Sequence, residues 1–432
     1  MDCLSCNRTG RKDGMYTIGR AVFTFLSVLW GMFFLVLILI WTPLRFLLWG
    51  NVPVLETLVS LFRDVIWIPV SLALPFYLLA MIWSVTDKWM IRILSAIVLL
   101  GYLTFGTLNL STYFRFLFIG LCAFAVLFFV ICFRKRQVRL NVLLFAILLL
   151  TLAINYNNQL LPKLLWPFTR SQTLTIMSYN ILVDQDPEKR DEVIALIKRN
   201  NPDLLFLQET NARDRQLFQK EFAAKYPHQL WSERNETYNG GAIFSIFPFT
   251  HTDNIDIHTP HMRTHTNVNH TQIDISSLGT VHLLNCHLFP SGHTFVPLLL
   301  GEKSFATFVR ESRITYERRN EEARQIANRI ESLQGEIILA GDFNDTPGSR
   351  IYRRFDRLLQ NGFEQAGWGL GTTFGAYTFR PHLDSKWQAF ITDFLRIDHV
   401  FCSQGFKVVG ARVLSSDASD HKPQLVKLRY DK

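Results

Sequence analysis

The chain has few cysteines, and the six present form neither a disulfide framework nor a complete zinc motif. Cys3 and Cys6 make a lone CxxC pair without the second pair that a structural zinc site needs. Cys286 and Cys402 stand singly in predicted strands, and spacing alone does not supply the geometry of a disulfide. The cysteines therefore exclude a small domain whose fold depends on disulfides or zinc.

Acidic residues are scarce and histidine is absent in the N-terminal part. The first 163 residues hold 14 Lys or Arg and 5 Asp or Glu, whereas the rest holds 31 of each sign and all 12 histidines. The whole formal charge of +9 therefore lies in the N-terminal part, and the C-terminal part is neutral. We interpret this basic excess as a signal for membrane orientation and not for nucleic-acid binding. The histidines indicate that the chemistry lies in the C-terminal part.

Charge is also missing from several long apolar runs. Ala21–Trp41 is uncharged and would be about 31 Å long as a helix, which is enough to span a bilayer. It is followed by similar runs and has no small-residue cleavage site, so it is not a signal peptide. Four further candidate spans are Val65–Val85, Ile91–Leu110, Phe114–Phe133 and Leu140–Tyr156. The sequence predicts an all-α transmembrane region of about five helices at residues 21–157.

Basic residues in the loops predict the orientation of these spans. They cluster in the N-terminal tail, between the second and third spans, and before the last span: Arg8, Arg11, Lys12, Arg20, Lys88, Arg92, Arg134, Lys135, Arg136 and Arg139. With five spans all three clusters face the cytoplasm. Residues 1–20 are then a cytoplasmic tail, 158–172 a linker, and 173–432 an extracytoplasmic domain. A different parity of the span count would reverse this orientation.

Beyond the linker, strand and helix patterns alternate, and strands then predominate. The predicted helices are Pro187–Asn200, Asn211–Lys225, Ile314–Leu333 and Arg350–Leu359. The predicted strands are Leu174–Asn180, Leu204–Leu207, a strand within Gly240–Ser245, Ile255–His258, Val268–Ile275, Val281–Cys286, Ile337–Leu339, Leu395–Phe401, Val408–Leu414 and Gln424–Leu428. This order predicts an α+β domain with a two-layer β-sandwich flanked by helices. An insert at Phe289–Ser312 carries an apolar run that either contacts lipid or packs on its own domain.

Polar side chains recur beside the predicted strands. The strand that precedes Gly341 is followed by Asp342 and Asn344, which point the same way because they are two residues apart on an extended backbone. Five other such places carry Asn180, Glu209, His287, Asp398 and Asp420 with His421. A single polar residue after a strand is usually a solvated loop residue. Six such places together indicate an active site.

The order of these motifs resembles the endonuclease/exonuclease/phosphatase superfamily of DNase-I-like phosphohydrolases. The matching segments are Ser178–Leu182, Leu207–Thr210, Gly240–Ser245, Asn285–Leu288, Gly341–Asn344, Arg396–Phe401 and Ser419–Pro423. The resemblance covers Leu174–Tyr430 and no part of the predicted membrane region. It implies a DNase-I-like fold and phosphoester hydrolysis. It does not choose among nucleases, sphingomyelinases and inositol-phosphate phosphatases.

The resemblance also implies a divalent metal, Mg²⁺ or alternatively Mn²⁺. Glu209 is a hard oxygen ligand suited to Mg²⁺, and Asn180 would be a neutral ligand or a phosphate contact. Asp420 is a further candidate ligand. Phosphoester hydrolysis needs an in-line water and neutralised phosphoryl oxygens, which a metal helps to supply.

The remaining site residues are implied to act on the water and the phosphate. Asp342 would orient or deprotonate the attacking water, and Asn344 would hold that water or a phosphoryl oxygen. His421 would be an acid/base or electrostatic stabiliser, with Asp398 fixing its tautomer through a hydrogen bond. His287 would donate a proton or contact the phosphate.

The sequence therefore predicts a membrane-anchored, metal-dependent phosphodiesterase. We favour a lipid headgroup as its substrate, similar to neutral sphingomyelinases, because of the predicted spans, the apolar insert and the neutral domain. A membrane-bound nuclease is the first alternative, and it would need basic residues beside the cleft; Arg310, Arg313, Arg318 and Arg319 follow the apolar run. A non-catalytic binding module on the same fold is the second, which we rank low because all the expected polar groups are present.

Overall fold

The computed structural model describes residues 172–183, 185–232, 240–259, 266–290, 303–375, 393 and 395–430. The predicted tail (1–20), the predicted membrane region (21–157) and linker residues 158–171 lie outside the described residues. In the described part of the chain, no helix is long and apolar enough to cross a bilayer.

The described residues form twelve strands and five helices, joined by loops. The strands are β1 (Gln172–Asn180), β2 (Leu204–Gln208), β3 (His228–Trp231), β4 (Gly241–Ser245), β5 (Phe249–Ile257), β6 (Thr266–Ile275), β7 (Gly279–His287), β8 (Glu336–Asp342), β9 (Gln360–Asn361), β10 (Asp398–Cys402), β11 (Lys407–Val413) and β12 (Gln424–Tyr430). The helices are α1 (Pro187–Asn200), α2 (Ala212–Phe222), α3 (Phe305–Ser332), α4 (Arg350–Asp356) and α5 (Gly362–Ala366).

The strands form two six-stranded sheets. The first has the order β11-β12-β1-β2-β4-β3 and the second the order β5-β6-β7-β8-β10-β9. Each sheet contains one parallel pair near its centre, β1 with β2 and β7 with β8, and antiparallel neighbours on either side. In both parallel pairs, the two strands finish at the same edge of their sheet, so residues that end them come close together.

Three apolar clusters hold the layers together. Leu174, Phe206 and Ile243 of the first sheet pack with Leu283 and Ile338 of the second in the cluster between the sheets. The outer face of the second sheet packs on α3 and α4. The outer face of the first sheet packs on α1 and α2. Both faces of each sheet are thus buried, which is why the central strands read as nearly continuous apolar runs. The predicted two-layer sandwich flanked by helices is confirmed.

Side-chain caps set where several helices begin. Pro187 occupies the first turn of α1, where its missing N–H costs nothing. Asn211 and Asp214 form a capping box at α2, each accepting a hydrogen bond from the other's backbone N–H. The hydroxyls of Ser304 and Ser349 accept from Thr307 N and Tyr352 N at the starts of α3 and α4.

Several predicted boundaries differ from the structure. Helix α3 begins at Phe305 instead of Ile314, so the second part of the predicted insert Phe289–Ser312 is helical. The apolar run of that insert, residues 295–300, lies outside the described residues. Strand β5 begins six residues before its predicted start at Ile255. Strands β3 and β9 and helix α5 were not predicted.

Candidate active site

The carboxyl ends of the central strands bring the predicted residues together. Asn180 ends β1, and Glu209 directly follows β2; Asn180 pairs in register with Gln208. In the second sheet, His287 ends β7 and pairs with Asp342 at the end of β8. Asp398 is the first residue of β10, and because β10 is antiparallel to β8 it lies opposite Asp342 at the same edge.

The amide of Asn180 links the two sheets. Its Nδ2 donates to Glu209 Oε1 at 2.9 Å and to Asp342 Oδ2 at 3.0 Å, and it lies 3.5 Å from His421 Nε2. Its Oδ1 accepts from the backbone N–H of Leu182 at 3.1 Å. The side chain of Asn180 is fully buried. This amide nitrogen therefore sets the spacing between the two carboxylates.

Two imidazoles flank Asp342. His287 Nε2 lies 3.6 Å from Asp342 Oδ2 and 3.8 Å from Glu209 Oε1. His421 Nε2 lies 3.6 Å from the same Asp342 oxygen. The other oxygen, Oδ1, accepts from the backbone N–H of Asn344 at 2.8 Å. Asp342 Oδ2 thus faces three nitrogen atoms, one each from Asn180, His287 and His421.

Asp398 orients His421. The Nδ1 atom of His421 donates to Asp398 Oδ2 at 2.9 Å, which leaves Nε2 to face the site. The predicted contact is therefore present. The His421 ring also lies against Phe374, with ring centroids 4.7 Å apart. A backbone bridge between Phe374 and His421 holds these two residues side by side.

Three residues at the strand ends of the site have unusual backbone conformations. Gly341 has φ +148°, and a Cβ there would lie 1.8 Å from the backbone oxygen of Cys286. Glu209 and Asn344 have φ values of 58° and 49°, in the left-handed region that non-glycine residues rarely adopt. Such strain concentrates at functional sites when the surrounding structure enforces it. Here it turns the Glu209 and Asn344 backbones sharply at the strand ends.

Burial and neighbouring charges shift the acidities in the cluster. Burial raises the pKa of Asp342 to about 6, helped by the carboxylate of Asp398 and opposed by His421 and His287. Burial would lower the pKa of His421, but Asp398, Asp342 and Asp420 outweigh it and raise the pKa well above its ordinary value. For Glu209, burial is outweighed by His287, Asn180 and His421, so its pKa is lowered. At neutral pH the site thus holds carboxylates beside a protonated His421.

The comparison with protein families identifies the chain. A model described as the Endonuclease/Exonuclease/phosphatase family matches residues 177–421, which is more than half of the sequence. The chain belongs to the endonuclease/exonuclease/phosphatase family. Enzymes of this family are phosphoesterases or nucleases that use divalent metals, so the chain is a hydrolase of that family. The resemblance in the sequence motifs is therefore confirmed for the C-terminal part.

Several solved structures are similar to this chain at low sequence identity. An endonuclease/exonuclease/phosphatase from Beutenbergia cavernae is 19% identical, covers 60% of this chain and 72% of its own, with a TM-score of 0.42. One from Bacteroides vulgatus is 15% identical over 60% of this chain and 100% of its own, with a TM-score of 0.45. Truncated TDP2 from Caenorhabditis elegans is 20% identical over 60% and 97%, with a TM-score of 0.42. None of the curated proteins matches the chain.

The donor groups of this endonuclease/exonuclease/phosphatase domain suit a divalent cation. Glu209 and Asp342 place carboxylate oxygens within 3.0 Å of the same Asn180 nitrogen. Asp398 Oδ1 is buried and, among the described residues, has no hydrogen-bond partner. Burial, with Glu209 and Asp398 nearby, raises the pKa of Asp420. Buried carboxylates this close together repel one another, and a bound cation would relieve that repulsion.

Two sets of residues compete for such a cation. Asp342, Asp398 and His421 each place one ligand atom within 4.8 Å of the others. However, His421 Nδ1 donates a hydrogen bond to Asp398, and a protonated imidazole cannot ligate a metal. Glu209 is not in that set, and its carboxylate oxygen atoms are hard ligands that suit Mg²⁺ better. We therefore favour Glu209 over the set of Asp342, Asp398 and His421 as the main ligand of the cation.

Two predicted residues lie at the border of the cluster. The Asn344 side chain donates to Leu288 O at 2.9 Å, so its amide nitrogen fixes the neighbouring loop. Asp420 Oδ1 accepts from the hydroxyl of Ser419 at 3.2 Å. The roles of Asn344 in holding water and of Asp420 in binding metal stay predictions.

Some residues of the site were missed in the sequence. Thr373 is fully buried, and its Oγ1 accepts from the backbone N–H groups of Ile397 and Asp398 at 3.2 and 3.3 Å. Thr373 and Phe374 lie in an irregular segment, where no strand or helix pattern marks them. Ser419 lies in a matching motif, but nothing in the sequence predicted the hydrogen bond that its hydroxyl donates to Asn180 O at 2.8 Å.

Proposed function

We propose that the protein is a membrane-anchored, Mg²⁺-dependent phosphodiesterase that hydrolyses a lipid headgroup by in-line attack of water. The observation that carries the reaction type is the environment of Asp342 Oδ2, which lies 3.0 Å from the Asn180 amide and 3.6 Å from both His287 and His421. A buried carboxylate with a raised pKa can accept a proton from water, and the protonated His421 beside it can interact with a phosphoryl group.

We assign each of the site residues a role in the reaction. Asp342 orients the water and accepts its proton, while Asn180 holds the Asp342 and Glu209 carboxylates in place. Protonated His421, kept in that state by Asp398, stabilises charge on the phosphoryl oxygens. His287 donates a proton to the leaving oxygen.

Glu209 would hold the divalent cation, with Asn180 and Asp420 beside it. When bound, the cation supplies positive charge that neutralises the phosphoryl oxygens and the leaving group.

Two structural observations support a lipid over a nucleic acid as the substrate. Arg318 and Arg319 are both buried, with 5% and 2% of their surface exposed. The Nε of Arg318 bonds Glu322 at 3.1 Å, and Arg319 lies 4.0 Å from Asp345. These two arginines serve the domain itself and are not available to a phosphate backbone, whereas Arg310 and Arg313 are exposed. Phe305, at the start of α3 and within the predicted insert, is 64% exposed and adds apolar surface there.

A substrate comparison tests this proposal. The full-length protein, purified in detergent, is assayed with Mg²⁺ against sphingomyelin, phosphatidylcholine, inositol phosphates and plasmid DNA, with Asp342→Ala as the matched control. We expect turnover of a phospholipid that is at least tenfold faster than that of the other substrates and is lost in the variant. Cleavage of DNA alone would contradict the lipid preference, in favour of a nuclease.

A further inference from the structure

The turn that follows Asn180 contacts both Asn180 and Glu209 through its backbone. Leu182 N donates to Asn180 Oδ1 at 3.1 Å, and Val183 N donates to Glu209 Oε2 at 3.2 Å. Leu182 itself has φ 53°, an unfavourable conformation for a branched side chain. The turn therefore needs contacts with other parts of the domain to keep the Asn180 and Glu209 side chains in place.

Arg190 supplies that support. It lies in the first turn of α1 and is only 4% exposed. Its Nη2 donates to Leu182 O at 2.8 Å, and its Nη1 donates to Ile181 O. The guanidinium thus binds the carbonyl side of the turn whose N–H groups bind Asn180 and Glu209.

Asp214 connects Arg190 to the second loop of the site. Arg190 Nε and Nη2 donate to the two carboxylate oxygens of Asp214 at 2.6 and 3.0 Å. The same carboxylate accepts from the backbone N–H of Asn211 at 3.1 Å, as part of the capping box of α2. Asn211 lies two residues after Glu209, whose backbone is in the left-handed region. One buried ion pair therefore joins the loop after Asn180 to the loop after Glu209.

We propose that Arg190 and Asp214 are positioning residues for the divalent cation. Their ion pair fixes the position of Glu209, the ligand candidate contributed by the first sheet, and of Asn180, whose amide nitrogen donates to Glu209. This inference rests on the proposed function, because it takes Glu209 as a metal ligand.

The chemistry of the pair fits positioning better than general stability. A buried ion pair gains little net stability over apolar residues of similar size, because both charges lose their hydration. It does impose geometry, since the planar guanidinium binds a carboxylate through two parallel bonds and still has donors for two carbonyls. Lysine keeps the charge but cannot reproduce this fork.

The chain offers a matched control in the same pair of helices. Lys198 of α1 and Glu221 of α2 form an ion pair of 2.7 Å whose side chains are 52% and 32% exposed. It joins the same two helices as Arg190 and Asp214, far from the site in sequence. Variants of this pair test the effect of loosening α1 and α2 without altering the turn.

The experiment measures metal binding directly. Full-length protein in detergent is titrated with Mn²⁺, and free Mn²⁺ is followed by electron paramagnetic resonance. For Arg190→Lys and Asp214→Asn we expect Mn²⁺ binding at least tenfold weaker, and the same rise in the Mg²⁺ concentration for half-maximal rate. The kcat at saturating Mg²⁺ should fall less than threefold, because the groups that act on the substrate are intact. Lys198→Met and Glu221→Gln should bind Mn²⁺ like the wild type.

A folded Arg190→Lys or Asp214→Asn protein with wild-type Mn²⁺ affinity would overturn the inference. If neither variant folds, hydrogen exchange of the wild type decides. Mn²⁺ should then slow exchange in peptides that cover residues 181–183 and 211–214, and not in those around Lys198 and Glu221. Equal exchange with and without Mn²⁺ would overturn it as well. Glu209→Gln separates the two proposals, because wild-type binding by that variant would contradict the metal site itself.

Discussion

One oxygen atom, Oδ2 of Asp342, is the point at which the site residues meet. Asn180, His287 and His421 each place a nitrogen atom within 3.6 Å of it. The carboxyl is 1% exposed, and its burial raises the pKa to about 6. A base with a pKa close to the working pH is both ionised and able to take a proton, which is the compromise that general-base catalysis requires.

Removing the charge of Asp398 tests the state of His421. In Asp398→Asn, the imidazole loses a carboxylate that raises its pKa. His421 should therefore lose its proton at a lower pH, and the alkaline limb of the pH–rate profile should move to lower pH. We expect kcat to fall roughly 100-fold, as is typical when a proton-transfer group is disturbed. The measurement is the pH dependence of kcat for both proteins.

The control for this variant is Asp274→Asn, an exposed carboxylate in β6. It should leave both the rate and the pH profile as they are in the wild type. An unchanged alkaline limb in Asp398→Asn would mean that Asp398 does not hold the proton on His421.

Individual site residues were predicted where a short sequence motif identified them. Asp398 and His421 lie 23 positions apart, yet each stands in a recognisable motif, and their hydrogen bond was predicted. Thr373 and Arg190 were missed because their contacts include backbone groups of other segments of the chain. A polar side chain that bonds backbone carbonyls leaves no pattern in the sequence around it.

At the scale of the element, Gly341 determines how β8 approaches β7. The parallel register places Gly341 beside Cys286, and a Cβ at Gly341 would overlap the Cys286 carbonyl. Gly341→Ala should therefore lower the free energy of unfolding by about 3 kcal/mol or more, since both the contact and the positive φ oppose it. Chemical denaturation of the detergent-solubilised protein measures the change.

Gly279 provides the comparison for that variant. It also has a positive φ, +74°, but no atom lies within 4 Å of the position that a Cβ would take. Gly279→Ala should thus cost only the conformational strain, about 1–2 kcal/mol. Equal costs for the two variants would show that the close approach of β7 and β8 is not what requires Gly341.

The elements themselves were predicted well where apolar periodicity is long. The bounds of α1, Pro187–Asn200, agree with the structure, because Pro187 marks its start and the apolar stripe is regular. The start of α3 was placed nine residues late, since its capping residue Ser304 follows an apolar run that looked like a loop insert. β3, β9 and α5 have only two to five residues, too few for a periodic signal.

At the scale of the whole domain, the two sheets pack face to face, and the site lies where their central strands end. The first sheet contributes Asn180 and Glu209, and the second contributes His287, Asp342 and Asp398. The buried amides of Gln208 and Asn285, which bond each other at 2.7 Å, tie the sheets together beside these residues. Sequence motifs predicted the members of the site, but the inter-sheet bonds that set its spacing depend on the packing of the sandwich.

The predicted membrane region and its orientation stay predictions, because residues 1–171 lie outside the described residues. They bear on where the domain meets its substrate and not on the chemistry of the site. In the proposed chemistry, Asp342 is the base and a divalent cation binds beside Glu209.

The most direct measurement is the pH–rate profile of phosphodiester hydrolysis by the full-length protein, using bis(p-nitrophenyl) phosphate with Mg²⁺ or with EDTA. The account predicts a rate that depends on Mg²⁺ and rises with pH through an acid limb at or below pH 6. The pKa of Asp342 is about 6, and a bound cation favours its ionised form. The rate of Asp342→Ala should be at least 100-fold lower. Equal turnover by Asp342→Ala, or full activity in EDTA, would contradict the account.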